Sequence, residues 1–258
     1  MKEQLYTIPL NDAFHTDDEC PFCHIHRSLE QHAIEFVLSP SAASYMEDDV
    51  RAETDKMGFC SYHYQKMFTY GNKLGSALIL ETHMKKLTAD LKAETSHYAP
   101  GSKSSFLSRF SKSAPDDSHQ SSLVHWVKDQ ESHCYICDYI EKIYQRYLDT
   151  FFEMYKKDAA FRDLVKNSKG FCLHHFGDLV QAAEVKMNEK DRAAFFEMLF
   201  PQMISGLERI TGDVEWFQKK FDYQFKDADW KESKDSVQRA MQKVAGGYPA
   251  DPPFEYAK

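Results

Sequence analysis

Two short cysteine and histidine motifs, each present twice, are the parts of this chain best suited to chemistry. A CxxC motif followed by a GFCxxH motif supplies four potential metal ligands, namely Cys20, Cys23, Cys60 and His63. The same two motifs recur later with Cys134, Cys137, Cys172 and His175, and both copies together use all 6 cysteines. Three thiolates and one imidazole make a closed, four-coordinate zinc site that leaves no position for water or substrate. The motifs therefore predict two Zn²⁺ ions per chain.

Other uses of clustered cysteines fit the pattern less well. An iron–sulfur cluster is the alternative metal group, but the histidine in each set favours zinc. Thiol redox chemistry needs only the CxxC dithiol, and it would not require a second Cys–His pair. Disulfides fit poorly because the N-terminus lacks an apolar segment of signal-peptide length. We therefore expect a cytoplasmic protein, in which thiols stay reduced.

One ligand position offers two adjacent histidines, His174 and His175. His175 aligns with His63 of the first copy, whereas His174 aligns with Tyr62. The repeat thus predicts that His175 is the ligand, and that His174 and the other neighbouring histidines have supporting polar roles.

Composition limits the classes of partner. The net charge of −8 and the scattered basic residues make nucleic acid an improbable partner, because phosphate binding needs clustered Lys and Arg. No apolar run approaches the length of about 20 residues that a membrane helix needs. The partner is therefore expected to be a protein or a small molecule.

The elements that must position the ligands are predicted to be helices. Apolar residues recur at helical spacing, and alternating strand patterns are nearly absent. We expect an all-α protein of two related lobes that arose by internal duplication, each held by the Cys₃His site of its own repeat. The expected segments are a first repeat (1–94), a flexible Ser/Pro-rich linker (95–122) and a second repeat (123–222). An aromatic and acidic C-terminal segment with an amphipathic helix and a tail follows (223–258).

Three local expectations concern individual segments. Residues 1–19 are expected to form an irregular lead-in. A single long helix is expected from His63 to about Glu94. Residues 232–245 should form a final amphipathic helix.

The duplicated motifs, the segment 45–51 and the aromatic tail around 221–236 together resemble an uncharacterised bacterial family of unknown function, found mainly in anaerobic Gram-positive bacteria. The resemblance spans nearly the whole chain. It implies a bacterial, cytoplasmic protein, and it brings no reaction, substrate or catalytic residue.

These observations favour a binding or interaction module with structural zinc, and they lean away from an enzyme. One alternative is an enzyme with a pocket between the two lobes, lined by Glu47, Asp48 or Trp230. Another is a thiol-based redox or metal sensor. The sequence assigns no catalytic residue.

Overall fold

A computed structural model describes residues 5–98 and 121–247, and within these ranges the regular structure is entirely helical. The prediction of an all-α protein is confirmed. Short 3₁₀ turns lie at Ser44–Met46 and Lys231–Ser233. In chain order, the α-helices of these ranges are α1 (Thr7–His15), α2 (Pro21–Leu38), α3 (Asp48–Met57), α4 (Ser61–Tyr70), α5 (Lys73–His97), α6 (Ser122–Ser132), α7 (Tyr135–Lys157), α8 (Ala159–Asn167), α9 (Leu173–Lys186), α10 (Glu189–Lys219) and α11 (Ser236–Ala245).

The described residues form two compact units that are not consecutive repeats. Unit 1 contains residues 5–31 and 140–247, and unit 2 contains residues 32–98 and 121–139. Each unit therefore combines chain from the first half with chain from the second half. The division into sequence repeats, and the duplication behind it, stay predictions. The predicted linker falls mostly on residues 99–120, which lie outside the described residues.

Unit 1 is built around an aromatic core. Phe22 and Phe151 are fully buried, and their ring centroids lie 5.6 Å apart. Phe14 packs against both rings, at 6.2 Å and 6.0 Å. Buried aromatic rings remove large apolar areas from water, and tilted or edge-to-face pairs add to that stabilisation. This core lies directly beside Cys20 and Cys23, which belong to the same buried cluster.

Two local expectations were wrong. The lead-in contains α1, which buries Leu10 and Phe14 in the core of unit 1. The long helix after His63 is instead interrupted at Gly71, where φ is +93° and α4 ends. Asn72 then caps α5 by accepting a hydrogen bond from Gly75 N, and it donates to Leu38 O. Glycine adopts this left-handed conformation without steric cost, and asparagine is a preferred N-cap, so both residues favour the break.

The glycine of each GFC motif has a conformational reason. Gly58 ends α3 with a φ of +58°, and a β-carbon there would lie 2.8 Å from His83 Nε2. Gly170 has a φ of +87°. The phenylalanine that follows each glycine is buried, with Phe59 at 7% and Phe171 at 1% exposure. The turn therefore buries the aromatic ring and positions the next cysteine at the start of a helix.

Within the described ranges, no helix combines the length and the apolar character that crossing a membrane would require.

Candidate metal centres

The predicted ligands occupy the N-terminal ends of four helices. Cys60 and Cys172 are the N-cap residues of α4 and α9. Cys20 and Cys134 directly precede α2 and α7. The second ligand of each motif lies three residues later, in the first turn, and therefore on the same side of the helix. The exposed N–H groups and the dipole at a helix N-terminus stabilise negative charge, which suits thiolates.

Cluster A lies in unit 1 and joins Cys20, Cys23, Cys172 and His175. His175 Nδ1 lies 3.1 Å from Cys172 Sγ, 3.3 Å from Cys20 Sγ and 3.6 Å from Cys23 Sγ. All four residues are buried, none being more than 3% exposed. The Phe22 ring packs against the His175 ring at a centroid distance of 5.7 Å. Cluster A is therefore enclosed by the aromatic core.

Cluster B lies in unit 2 and joins Cys60, His63, Cys134 and Cys137. His63 Nδ1 lies 3.2 Å, 3.3 Å and 3.4 Å from the sulfurs of Cys134, Cys60 and Cys137. A backbone hydrogen bond of 3.0 Å from Tyr135 N to Gly58 O holds the two motifs together. His63 and Cys134 are buried, but Cys60 is half-buried and Cys137 is exposed. Cluster B is therefore open to solvent on one side.

All eight predicted ligands are brought together, but not in the expected groups. Each repeat was expected to build its own site from its CxxC and its GFCxxH. The structure instead groups the CxxC of each repeat with the GFCxxH of the other repeat. The physical reason is packing, because the start of α2 shares the core of unit 1 with the start of α9. The within-repeat grouping was therefore wrong.

The donor geometry fits a tetrahedral zinc ion. With Zn–S near 2.3 Å and Zn–N near 2.1 Å, a tetrahedron puts sulfur and nitrogen about 3.6 Å apart and two sulfurs about 3.8 Å apart. The nitrogen–sulfur distances in both clusters run from 3.1 to 3.6 Å. The sulfurs of Cys60 and Cys137 lie 4.0 Å apart. Each donor set therefore has the size and chemistry of a Cys₃His zinc site.

The thiol pKa values differ strongly within each cluster. Hydrogen bonds from Cys20 and Cys23 hold the pKa of Cys172 far below its usual value, whereas burial holds the pKa of Cys20 well above it. Burial also raises the pKa of Cys137. At Cys134 burial is opposed by hydrogen bonds from His63 and from the backbone of Cys137 and Cys60, which together lower its pKa to about 6. In each cluster one thiol thus has a lowered pKa beside a neighbouring thiol whose pKa is raised. A divalent cation would allow all three to be thiolates, because it attracts each of them.

The C-terminal helix covers cluster A in a way that the sequence analysis missed. A methyl group placed on Gly246 would lie 3.7 Å from Cys172 Sγ and 4.0 Å from Cys23 Sγ. Gly247 N–H donates a hydrogen bond to Cys23 Sγ. Helix α11 was expected to be amphipathic. It does bury one face, but the buried residues are polar, namely Ser236, Arg239, Gln242 and Lys243.

A buried ion-pair network holds α11 in place. The carboxylate of Glu19, beside ligand Cys20, is 1% exposed and lies 2.5 Å from Arg209 and 3.3 Å from Arg239. Lys243 Nζ lies 3.4 Å from this carboxylate and donates to Glu19 O and Lys169 O at 2.6 Å and 2.7 Å. A zinc ion held by three thiolates would carry one net negative charge, and the buried Lys243 ammonium, which interacts electrostatically with Cys20, would offset it. In the sequence, the signal for this contact was the set of polar residues that recur at helical spacing along α11.

The network predicts an electrostatic contribution to stability. Burial would raise the pKa of Glu19, but the hydrogen bond from Arg209 and the positive charges of Lys243, Arg209 and Lys169 outweigh it and hold the pKa below its usual value. Replacement Glu19→Gln leaves the buried Lys243 ammonium without a carboxylate partner, although Arg239 keeps its ion pairs with Asp213 and Asp235. We expect a loss of about 3 kcal/mol in unfolding free energy at neutral pH. Urea unfolding at pH 7 measures it, and Glu81→Gln, in an exposed pair with Lys85, should leave the midpoint unchanged.

The pH dependence of the unfolding free energy tests whether the charge of Glu19 is responsible for this loss. A lowered folded-state pKa contributes stability that is present above the unfolded-state pKa and disappears as pH falls through the folded-state pKa. The difference between wild type and Glu19→Gln should therefore shrink below about pH 4. A difference that persists unchanged at acidic pH would show that packing, not charge, is responsible.

The spare histidines lie beside cluster A without joining it. His174 is exposed, with Nε2 3.6 Å from Asp178 Oδ2. The His26 ring packs edge-on against His175 at 4.6 Å. Burial and the nearby His175 lower the pKa of His26 to about 3, so His26 is neutral. His175 lies in the Cys₃His group, and its role as the ligand stays a prediction.

The acidic and aromatic residues considered for an enzyme pocket have local roles. Glu47 is the N-cap residue of α3, and the exposed Asp48 begins that helix in unit 2. Trp230, in unit 1, packs against Phe217 at 5.8 Å and lies under the Lys220 ammonium. The Lys220 ammonium donates to the carbonyls of Phe225 and Lys226, both at 2.7 Å, and so organises the turn after α10. The enzyme alternative stays a prediction.

Comparison with known proteins gives one match. A model described as a family of unknown function (DUF6062) matches residues 1–251. Neither the curated proteins nor the solved structures gave a match.

Proposed function

We propose, for a chain that belongs to the family DUF6062, that one zinc ion stabilises each of the two compact units and that the protein is a binding or interaction module. The observation that carries this proposal is the pair of Cys₃His clusters, one in each unit, with nitrogen–sulfur distances suited to zinc. In cluster A the ligands would be Cys20, Cys23, Cys172 and His175. In cluster B they would be Cys60, His63, Cys134 and Cys137.

The ligand sets support a structural role for the metal. Four protein ligands complete the tetrahedral coordination of zinc, so no position remains for water or substrate. The ions would then contribute to folding, and binding would take place on the helical surface. A cytoplasmic location agrees with this proposal, because reduced thiols are needed for zinc.

Concave surfaces within each unit support the binding role. Unit 1 has a cavity of about 640 Å³ lined by charged side chains of both signs, including Asp17, Lys169 and Arg209. Unit 2 has a smaller cavity of about 350 Å³ with a mainly apolar lining that includes Met67, Phe68 and Leu80. Cavities of this size accommodate small molecules or single side chains of a partner. The net charge of −8 favours a partner other than nucleic acid.

Native mass spectrometry tests the metal content directly. Protein purified without chelators, under reducing conditions, should have the mass of the polypeptide plus two zinc ions. Elemental analysis of the same sample distinguishes zinc from iron, and an additional mass would reveal a co-purifying ligand. Protein that is folded with no bound metal would contradict the proposal.

A further inference from the structure

We infer that cluster B is a peroxide-sensitive site, at which oxidation of Cys137 and Cys60 releases one of the two zinc ions while cluster A keeps the other. This inference rests on the proposed zinc occupancy of both clusters and adds a chemical role for one of them. Its basis is a difference in solvent access between two clusters with identical ligand types.

The difference in access is large at matching positions. Cys23 and Cys137 are each the second cysteine of a CxxC motif, yet Cys23 is 1% exposed and Cys137 is exposed. Cys60 is half-buried, whereas its counterpart Cys172 is 0% exposed. A peroxide can therefore approach the sulfurs of cluster B directly. The sulfurs of cluster A can be reached only after local opening of unit 1.

The cover over cluster A explains the difference. Gly246 and Gly247 lie against the sulfurs of cluster A, and Lys243 compensates its charge from a fully buried position. The Phe22 ring closes the side next to His175. At cluster B, the neighbouring Tyr62 side chain is 51% exposed and does not enclose the site. Cysteine oxidation depends on thiolate character and on exposure, so two zinc–thiolate sites should differ mainly through exposure.

The geometry of cluster B also supplies the second thiolate. Cys60 Sγ and Cys137 Sγ lie 4.0 Å apart, and a disulfide of about 2.05 Å needs only a modest approach of the two sulfurs. The Cys137 thiolate attacks one peroxide oxygen, the O–O bond breaks, and the products are a sulfenic acid and hydroxide. The Cys60 thiolate then attacks the sulfenic sulfur, displacing a second hydroxide and forming the S–S bond. Two protons from solvent convert the hydroxides to water.

The electron balance requires no further reactant. Each sulfur loses one electron, and the hydroperoxide accepts both. Zinc loses two of its four ligands and dissociates, because thiolates and not disulfides bind it. The new disulfide would join the starts of α4 and α7, so the two motifs of cluster B stay connected after the ion leaves. Thiol reduction reverses the step.

The test is zinc release from protein that carries two zinc ions. Hydrogen peroxide is added in the presence of a colorimetric zinc indicator, and released zinc is followed with time. We expect one equivalent to leave more than about tenfold faster than the second, since opening of a buried core precedes oxidation of cluster A. Peptide mapping after the fast phase should find a Cys60–Cys137 disulfide and unmodified Cys20, Cys23 and Cys172.

Two matched variants separate chemistry from folding. Cys137→His keeps four zinc ligands but removes the exposed thiolate, so the fast phase should disappear while the protein still binds two zinc ions. Cys23→His, at the matching position of cluster A, should retain the fast phase.

Release of both equivalents at one rate, or a disulfide within cluster A after the fast phase, would overturn the inference. A protein that is isolated without two zinc ions would instead refute the proposed function, so the two failures are distinguishable.

Discussion

A chain that carries both Cys20→Ser and His175→Ala should still bind one zinc ion, whereas a chain with Cys20→Ser and His63→Ala should bind none with high affinity. The first pair removes two ligands from cluster A and leaves cluster B complete. The second pair removes one ligand from each cluster. Because zinc affinity depends on all four ligands, a lost ligand is expected to cost most of the binding at that cluster.

This comparison tests the crossed grouping of the motifs. If each repeat bound zinc by itself, the stoichiometries would be reversed, since Cys20 and His63 belong to the same repeat. Native mass spectrometry of the two double variants gives the count directly. His174→Ala serves as the control, because His174 is exposed and is not one of the four donors of cluster A, so the variant should keep both ions.

Removing both zinc ions with a strong chelator should unfold most of the helical structure. Structural zinc contributes on the order of 10 kcal/mol to folding. A domain is stable by only about 5–15 kcal/mol in total. Each unit contains one of the two Cys₃His clusters, so removal of both ions would take this stabilisation from both units.

Far-UV circular dichroism measures this loss, and thiol labelling on the same samples shows which cluster has opened. Cysteines of cluster B should become reactive first, and those of cluster A later, together with the larger loss of ellipticity. Re-addition of zinc under reducing conditions should restore the signal. Helicity that is unchanged after complete zinc removal would show that apolar packing alone keeps each unit folded.

Coordination chemistry was predictable because it is local. In CxxC and CxxH the two ligands are three residues apart, and one helical turn places them on the same side whatever the rest of the chain does. The glycine of GFC is likewise a local requirement, since Gly58 and Gly170 both adopt positive φ. The choice of His175 over His174 followed from the repeat, and the all-α class followed from apolar spacing. The break at Gly71 was present in the sequence as a Gly–Asn pair, but the continuous apolar spacing on both sides concealed it.

The grouping of the motifs was decided by tertiary structure. Both CxxC motifs offer the same two thiolates, and both GFCxxH motifs offer the same thiolate and imidazole, so coordination chemistry gives no preference for either pairing. Packing makes the choice, through the Phe22 and Phe171 rings beside cluster A and the Tyr135–Gly58 hydrogen bond beside cluster B.

The different burial of the two clusters could not be predicted from the sequence either, because it depends on contacts between residues that are far apart along the chain. Lys243 contacts Glu19, and Gly246 approaches Cys23, across nearly the whole length of the polypeptide. Nothing in either CxxC motif distinguishes Cys23 from Cys137. The residue types and their spacing therefore determined that a metal ion could bind, whereas the fold determined which thiolates would share an ion and which of them meet solvent.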